Sequence, residues 1–256
     1  MFNLFKLIAN EFRVLVFPGT CLKCRTLLTG KGESSLSSCY CTGCLGNELP
    51  HYIPPFCPCC GKVFTSRTGE SHLCEDCLRR PPVVSRVRAA FEYKGVVREG
   101  IGQFKYNSRL SLARPFESCL FHAFGIYLAG KKIDLIVPIP LYFKKARQRG
   151  FNQSYLLVRN FVSLYREKYG IPPDWTIDAK GLVRVKQTPT QTGLDIVERR
   201  KNLKQAFKWK GRESLEGKSV LLVDDVYTTG ATCDAAAGAL TDAGADRVDA
   251  LVLARA

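Results

Sequence analysis

Apolar runs along the chain mark out strands before any chemistry is considered. Val220–Val223 is continuous apolar sequence, the signature of a parallel strand buried on both faces. Asp224 and Asp225 stand at its C-terminal end, followed by a small, hydroxyl-rich turn of Thr228, Thr229, Gly230, Ala231 and Thr232. From Cys233 to Ala243 the sequence is Ala-rich and predicts a helix closed by Gly244, and Arg247 to Leu253 is a further strand. Ile133–Val137 predicts another strand, and the basic stretch Leu141–Gly150 after it reads as a loop. Tyr155, Val158, Val162 and Tyr165 then recur at helical spacing, which predicts a helix starting near Asn152 with its aromatics in the core. At the start of the chain Phe2, Leu4, Phe5, Ile8 and Phe12 predict an amphipathic helix over 1–17 that docks on the protein, with membrane-surface binding as the alternative. Strands alternating with helices give an α/β fold with a mainly parallel sheet, whose ligands bind beyond the carboxyl ends of the strands.

Composition bounds the rest. The chain has 256 residues, 46% apolar and 24% charged, which excludes a wholly disordered protein and a short disulfide-knotted peptide and fits one or two domains. No apolar run is long enough to span a bilayer. The N-terminal segment is interrupted by Lys6, Glu11 and Arg13, so no secretory signal is expected. A cytoplasmic, reducing location is expected, with peripheral attachment at the inner face of the membrane as a variant of it, and the twelve Cys need a reason other than disulfides.

Ten of those Cys lie between Cys21 and Cys77, with Cys119 and Cys233 outside as candidate core residues. The segment holds four Cys-x-x-Cys pairs: Cys21 and Cys24, Cys41 and Cys44, Cys57 and Cys60, Cys74 and Cys77. A two-residue gap in a tight turn turns both sulfurs to one tetrahedral ion, so two pairs complete a structural zinc site. We assign the first site to Cys21, Cys24, Cys41 and Cys44 and the second to Cys57, Cys60, Cys74 and Cys77, on short ribbon hairpins. An interleaved pairing uses the same residues. Cys39 and Cys59 are left over, Cys39 competes with Cys41, and His51 and His72 are either competing ligands or surface loop residues. Four pairs exceed what one redox site needs. The expected organisation is an N-terminal helix over 1–17, a double zinc ribbon over 18–80 whose folding depends on metal, and an α/β domain over 81–256, divided near Arg79-Arg80-Pro81-Pro82.

The formal charge is +15, from 38 Lys and Arg against 23 Asp and Glu. It is concentrated in two stretches. Residues 141–160 hold Lys144, Lys145, Arg147, Arg149 and Arg159 without an acid, and residues 180–212 hold ten basic side chains against Asp195 and Glu198. Such runs are either a solvated face or a site for phosphate, pyrophosphate or nucleic acid.

The turn at Thr228–Thr232 gives the charge a focus. Backbone N–H groups at a helix start, backed by Thr hydroxyls, make a cradle for a phosphate, and Gly230 permits close backbone approach. The two carboxylates accept hydrogen bonds from vicinal sugar hydroxyls and help hold Mg²⁺. A sugar phosphate fits both halves, and the chain has no G-x-x-x-x-G-K-[ST] loop. The strand, acid pair and Thr-Thr-Gly-Ala-Thr together resemble the 5-phosphoribosyl-1-diphosphate (PRPP) site of type I phosphoribosyltransferases. The resemblance implies that Asp224 and Asp225 hold the ribose hydroxyls while Thr228, Thr229, Gly230, Ala231 and Thr232 hold the 5′-phosphate, with Mg²⁺ accompanying PRPP.

A second resemblance covers nearly the whole chain. Val137–Gln153, Gln187–Gln191, Glu198–Asn202 and the order of zinc ribbon before transferase-like domain are similar to the ComF family, which is linked to natural transformation and the handling of incoming single-stranded DNA. It implies that Arg147, Arg149, Asn152 and Gln153 lie on the pyrophosphate side. Thr188, Gln191, Arg199, Arg200 and Asn202 correspond to the flap over the site. Phe207 and Trp209, among Lys204, Lys208 and Lys210, either stack bases or form an edge strand with alternating residues.

Three functions follow from these readings. The favoured one is a PRPP-binding protein that handles single-stranded DNA during DNA uptake. The second is an active Mg²⁺-dependent phosphoribosyltransferase with an acceptor the sequence does not name; Cys21, a zinc ligand, leaves no glutaminase nucleophile near the N-terminus. The third is a zinc-ribbon adaptor that recruits a helicase or an uptake-channel component.

Overall fold

The computed structural model describes residues 19–28, 36–66, 68–106, 109–186 and 205–256. The described strands are β1 (Arg86–Glu92), β2 (Leu135–Pro138), β3 (Thr176–Ile177), β4 (Leu182–Arg184), β5 (Phe207–Trp209), β6 (Ser219–Tyr227) and β7 (Arg247–Arg255). Helices α1 (Thr42–Glu48) and α2 (Glu75–Arg79) precede β1, and α3 (Gly95–Tyr106) and α4 (Ala113–Tyr127) lie between β1 and β2. Helices α5 (Phe143–Arg149), α6 (Gln153–Leu156) and α7 (Phe161–Tyr169) follow β2, and α8 (Ala231–Thr241) joins β6 to β7.

Five strands form one parallel sheet in the order β1-β7-β6-β2-β3, and β4 and β5 form a separate antiparallel pair. The run Val220–Val223 lies inside β6, flanked by β2 and β7, and all four residues are buried. Strand residues alternate between faces. Val220 and Leu222 of β6, with Val248, Ala250 and Val252 of β7, pack in one core with Ala236, Ala237 and Leu240 of α8. Leu221, Val223, Leu251 and Leu253 pack in a second core with Ile101 and Phe104 of α3 and Phe116 and Leu120 of α4. Apolar side chains on both faces explain why these strands read as continuous apolar runs.

Each group of four cysteines belongs to a different core. Cys21 is buried in the core on the α3 and α4 side, with Cys41 and Cys44 packed against it, while Cys57, Cys60, Cys74 and Cys77 are buried in the core on the α8 side. The first group docks through Tyr40, whose hydroxyl donates to the Val96 carbonyl at 3.0 Å, and through Lys23, which pairs with Glu48 of α1 and lies 3.6 Å from Glu99 of α3.

Several expected elements change form. Leu141–Gly150 is not a loop: Phe143–Arg149 is helical, closed by Gly150 at φ 77°. This basic stretch without apolar periodicity is a short helix, and Gly150 supplies the left-handed terminus that ends it, its N–H donating to the Ala146 carbonyl. The helix expected from Asn152 is two pieces, α6 and α7, separated by a turn. Val158 in that turn is fully buried, whereas Tyr155 is 40% exposed and is not a core residue. Strand β6 runs through Asp224 and Asp225 to Tyr227, so the acids lie within the C-terminal part of the strand rather than after it. Helix α8 starts at Ala231 and ends at Thr241, with Asp242 at its C-cap and Gly244 taking a φ of 100° two residues later. The helix expected over 1–17 lies outside the described residues. No helix among the described residues is long and apolar enough to cross a membrane.

Candidate functional site: an acid pair, a phosphate-type loop and two four-cysteine centres

Strand β6, central in the parallel sheet, carries the acid pair near its C-terminal end. Asp225 is buried and its carboxylate meets Lys105 Nζ of α3 at 2.6 Å. Asp224 accepts from Ser154 Oγ of α6 at 2.9 Å and from the Asp225 N–H at 2.9 Å. Burial, and after it the neighbouring Asp225 charge, push the Asp224 carboxyl up to about 7, against the pull of Lys105. Burial lowers the Lys105 ammonium, but its contact with Asp225 outweighs that, so its net displacement is upward.

The loop after β6 ends at Gly230, which adopts φ 80° as the N-cap of α8 and offers no side chain to cap it. The first-turn N–H groups of an 11-residue helix therefore face the loop without a side-chain acceptor at the N-cap. A Cβ on Gly230 would collide with the Tyr227 ring. Tyr227 thus makes one close approach that requires glycine here. Thr228 is exposed and Thr229 and Thr232 are half-buried, so the loop hydroxyls border solvent.

A group of cations stands near the acids. Burial lowers the Arg184 guanidinium of β4 while the Asp224 charge raises it. Burial, then the charges of Arg184, Arg149 and Lys105, lower the Lys145 ammonium of α5. Lys145 thus feels the charges of Arg184, Arg149 and Lys105, an arrangement that favours a polyanion beside it. Arg149 also lies over the Tyr106 ring at 5.2 Å, and Arg147 is exposed.

Asn152 and Gln153 are adjacent but do different things. Asn152 is the N-cap of α6: its side-chain oxygen accepts from the Ser154 N–H at 3.2 Å and its amide donates to the Ile139 carbonyl at 3.2 Å. Both groups are engaged in holding α6 against the end of β2. Gln153 is 1% exposed, and neither polar atom of its amide has a hydrogen-bond partner among the described residues. A buried amide is normally satisfied, so this residue, next in sequence to the Ser154 that bonds Asp224, suits a polar ligand. Gln191, Arg199, Arg200 and Asn202, with Thr188 and Lys204, lie outside the described residues.

Phe207 is buried against β4 and is closed to base stacking; Arg184 covers its ring at 5.4 Å. Trp209 packs against Gly181 and Gly211, where a Cβ would collide with its ring, and donates Nε1 to the Glu213 carbonyl at 3.2 Å. Of the two readings for this pair, the strand with alternating residues is the one found, with β5 paired to β4.

The cysteines form two sequential clusters, not interleaved ones. The four sulfurs of Cys21, Cys24, Cys41 and Cys44 lie within 4.8 Å of one another, as do those of Cys57, Cys60, Cys74 and Cys77. Four thiols so placed fit one tetrahedral zinc in each group and agree with a zinc-ribbon arrangement. The first pair of each group sits on a knuckle closed by an antiparallel bridge, Thr20 with Leu27 and Phe56 with Val63. The second pair begins a short helix, with Cys41 and Cys74 as N-caps of α1 and α2, where the expectation was a hairpin alone. The Cys74 N–H donates to Cys57 Sγ at 3.4 Å, the kind of contact that favours thiolate. Cys39 is buried with its thiol turned toward the Ser111 carbonyl at 3.9 Å and Cys59 toward the Val84 carbonyl at 4.0 Å, so neither joins a group. His51 is exposed, and His72 stacks on Phe64 at 4.2 Å. Cys233 is buried and Cys119 half-buried.

Lys105, Ser154, Arg184 and Arg255 are the residues that sequence reasoning missed. Lys105 is one lysine on an amphipathic helix more than a hundred positions from the acids it meets, and nothing local marks it.

The fold and the loop define a phosphoribosyltransferase-type domain, and residues 176–256 match the phosphoribosyl transferase domain family. Over 250 residues the chain is 31% identical to DNA utilization protein YhgH of Escherichia coli strain K12, covering 94% of this chain and 99% of that protein. It is 29% identical to Competence protein F of Haemophilus influenzae, over 84% of this chain and 90% of that one. It is 27% identical to Competence protein ComFC of Bacillus subtilis, over 77% and 76% respectively. The chain belongs to the ComF family.

Proposed function

We propose that this chain binds PRPP with Mg²⁺ at the end of β6 and handles single-stranded DNA during DNA uptake. The observation that carries the reading is the Asp224–Asp225 pair, which meets Lys105 and feels Arg184, with the uncapped helix start at Gly230 after it and Lys145 next to those cations. In this reading the acids receive the ribose hydroxyls, the Thr228–Thr232 loop receives the 5′-phosphate, and the cations receive the pyrophosphate. Arg147, Gln191, Arg199, Arg200 and Asn202 are assigned to the pyrophosphate or nucleic-acid side, and Gln153 to a ligand oxygen or hydroxyl. Zinc fills both four-cysteine groups, in residues 18–80, and residues 81–256 carry the phosphoribosyl site. The names of the relatives, DNA utilization and competence proteins, support a role in DNA uptake.

Calorimetry with PRPP and Mg²⁺ tests the first half. Replacing both acids, Asp224→Asn with Asp225→Asn, is expected to weaken binding by at least roughly tenfold, since hydrogen bonds to charged groups contribute about 1.5–3 kcal/mol. Because the Asp224 carboxyl lies at about 7, Mg·PRPP affinity rises as pH increases through 7 and levels off above it. Unchanged affinity in the double variant, or a profile flat from pH 6 to 8, defeats the assignment.

For the second half, a cleft between α7 and the sheet-edge strand β3, lined by Tyr155, Arg159, Arg166, Trp175 and Lys180, supports a nucleic-acid surface. Affinity for an oligothymidylate is expected to fall linearly in log–log form with salt. Salt-independent binding counts against it. The cation group also favours a second reading, an active transferase in which these side chains stabilise departing pyrophosphate. Pyrophosphate release from PRPP above the level of the double-acid variant identifies it. An adaptor for a helicase or uptake-channel component remains the third reading, separated by pull-down with the cysteine-rich segment deleted.

A further inference from the structure

Arg255, the last residue of β7, is 8% exposed, and it touches both the second four-cysteine group and the loop after β6. Its Nε donates to the Cys60 carbonyl at 2.9 Å. One terminal nitrogen donates to the carbonyls of Tyr227 at 3.3 Å and Thr228 at 3.2 Å, and to that of Ala256. The other reaches Cys60 Sγ at 3.8 Å. The guanidinium also covers the Tyr227 ring at 5.0 Å, and Tyr227 in turn packs on Gly230.

The knuckle on the far side of this contact is itself built into the sheet. The carbonyls of Pro58, Cys59 and Cys60 are taken in turn by Arg88 at 3.0 Å, by the Val87 N–H at 2.7 Å and by Arg255. Gly61, at φ 68°, closes the knuckle where a Cβ would meet the Tyr52 hydroxyl and the Val87 carbonyl.

We propose that Arg255 is a positioning residue that couples metal in the Cys57, Cys60, Cys74, Cys77 group to the geometry of the Tyr227–Thr228 end of the phosphate loop. A zinc bound by four thiolates carries net negative charge, and a buried guanidinium at one sulfur is its complement. The same rigid fork has donors left for the loop carbonyls, so the loop is held while the guanidinium is held. The coupling to ligand rests on the PRPP reading; the coupling of metal to loop does not.

The experiment uses full-length, zinc-loaded protein with Arg255→Met and Arg255→Lys variants. Zinc affinity is read by equilibrium competition with a colorimetric chelator, loop opening by hydrogen exchange across 227–232, and Mg·PRPP affinity by calorimetry. Arg255→Met is expected to weaken one of the two zinc equivalents by roughly tenfold or more, the usual effect of losing an outer-shell partner, and to speed exchange in the loop. It weakens PRPP by roughly fivefold or more, at the scale of ordinary inter-site coupling. Arg255→Lys, which keeps the charge without the fork, restores zinc affinity more than loop protection. Wild-type protein supplies a second arm if the variants do not fold. Because coupling is reciprocal, saturating Mg·PRPP tightens one zinc equivalent, and removing that equivalent speeds loop exchange. Zinc affinity and loop exchange that ignore each other in wild type, and zinc affinity that ignores Arg255→Met, overturn the proposal. Wild-type protein that binds no PRPP defeats the proposed function alone, and hydrogen exchange with and without zinc then decides the role of Arg255.

Discussion

Cys57→Ser or Cys77→Ser is expected to abolish or strongly destabilise the cooperative fold, whereas Cys24→Ser releases one zinc and leaves the sheet folded. The difference follows from where the sulfurs sit. Cys57, Cys60, Cys74 and Cys77 are all buried, in the same core as Val87, Val137, Leu222 and Val252 of the sheet and Ala236 of α8. Cys24 is exposed at the rim of the other group. Structural zinc contributes on the order of 10 kcal/mol in small metal-dependent domains, more than the whole stability of many proteins. Loss of metal from the second group also leaves three thiols and a serine hydroxyl facing one another inside an apolar layer. Calorimetric melting with zinc content by atomic emission checks this. The second-group variants should hold one zinc or fewer and lose their melting peak, or melt lower by roughly 10 °C or more. A Cys57→Ser protein that melts within a few degrees of wild type refutes the shared-core argument.

Lys105→Met is the second large effect. Lys105 Nζ and the Asp225 carboxylate meet at 2.6 Å, with side-chain exposures of 21% and 10%. Removing one partner of a largely buried pair strands the other charge, at a cost of about 3 kcal/mol or more. Here the stranded acid also faces Asp224, already pushed up to about 7 by burial and by Asp225. The pH dependence has a definite sign. Without the lysine, one carboxyl takes a proton in the folded state at a pH where the unfolded chain has lost it. The folded variant then binds more protons than the unfolded one, so its stability rises as pH falls below the folded pKa. Urea denaturation at pH 8 and pH 6 reads this: the deficit against wild type is largest at pH 8 and shrinks at pH 6. Equal stability of variant and wild type at pH 8 would show that the ion pair does not offset the burial of the acids.

Both predictions depend on contacts across long sequence separations, and that is where legibility ended. Val220–Val223 announced a buried parallel strand because it is apolar on both faces, and the structure adds only that the strand continues through the acids to Tyr227. The Cys-x-x-Cys spacings announced the four pairs, because two residues is the reach of one tight turn, while the structure decided between sequential and interleaved grouping of those pairs. Leu141–Gly150 misled because a short helix with a charged surface and a glycine terminus carries no apolar stripe. Phe207 and Trp209 looked available for stacking among their lysines, but a single strand pairing with Leu182–Arg184 buried one and packed the other on two glycines.

The sequence by itself therefore determined the local chemistry: which central segments are strands, which turn suits an anion, and which cysteines pair across one tight turn. Those properties depend on residues within one turn or one strand of each other. The tertiary structure alone decided that the two four-cysteine groups enter opposite layers of the sheet, that Lys105 neutralises Asp225, and that Arg255 reaches from the loop after β6 to Cys60. Each of these joins side chains from elements whose meeting is set by how apolar faces close on the sheet, and no spacing along the chain records that choice.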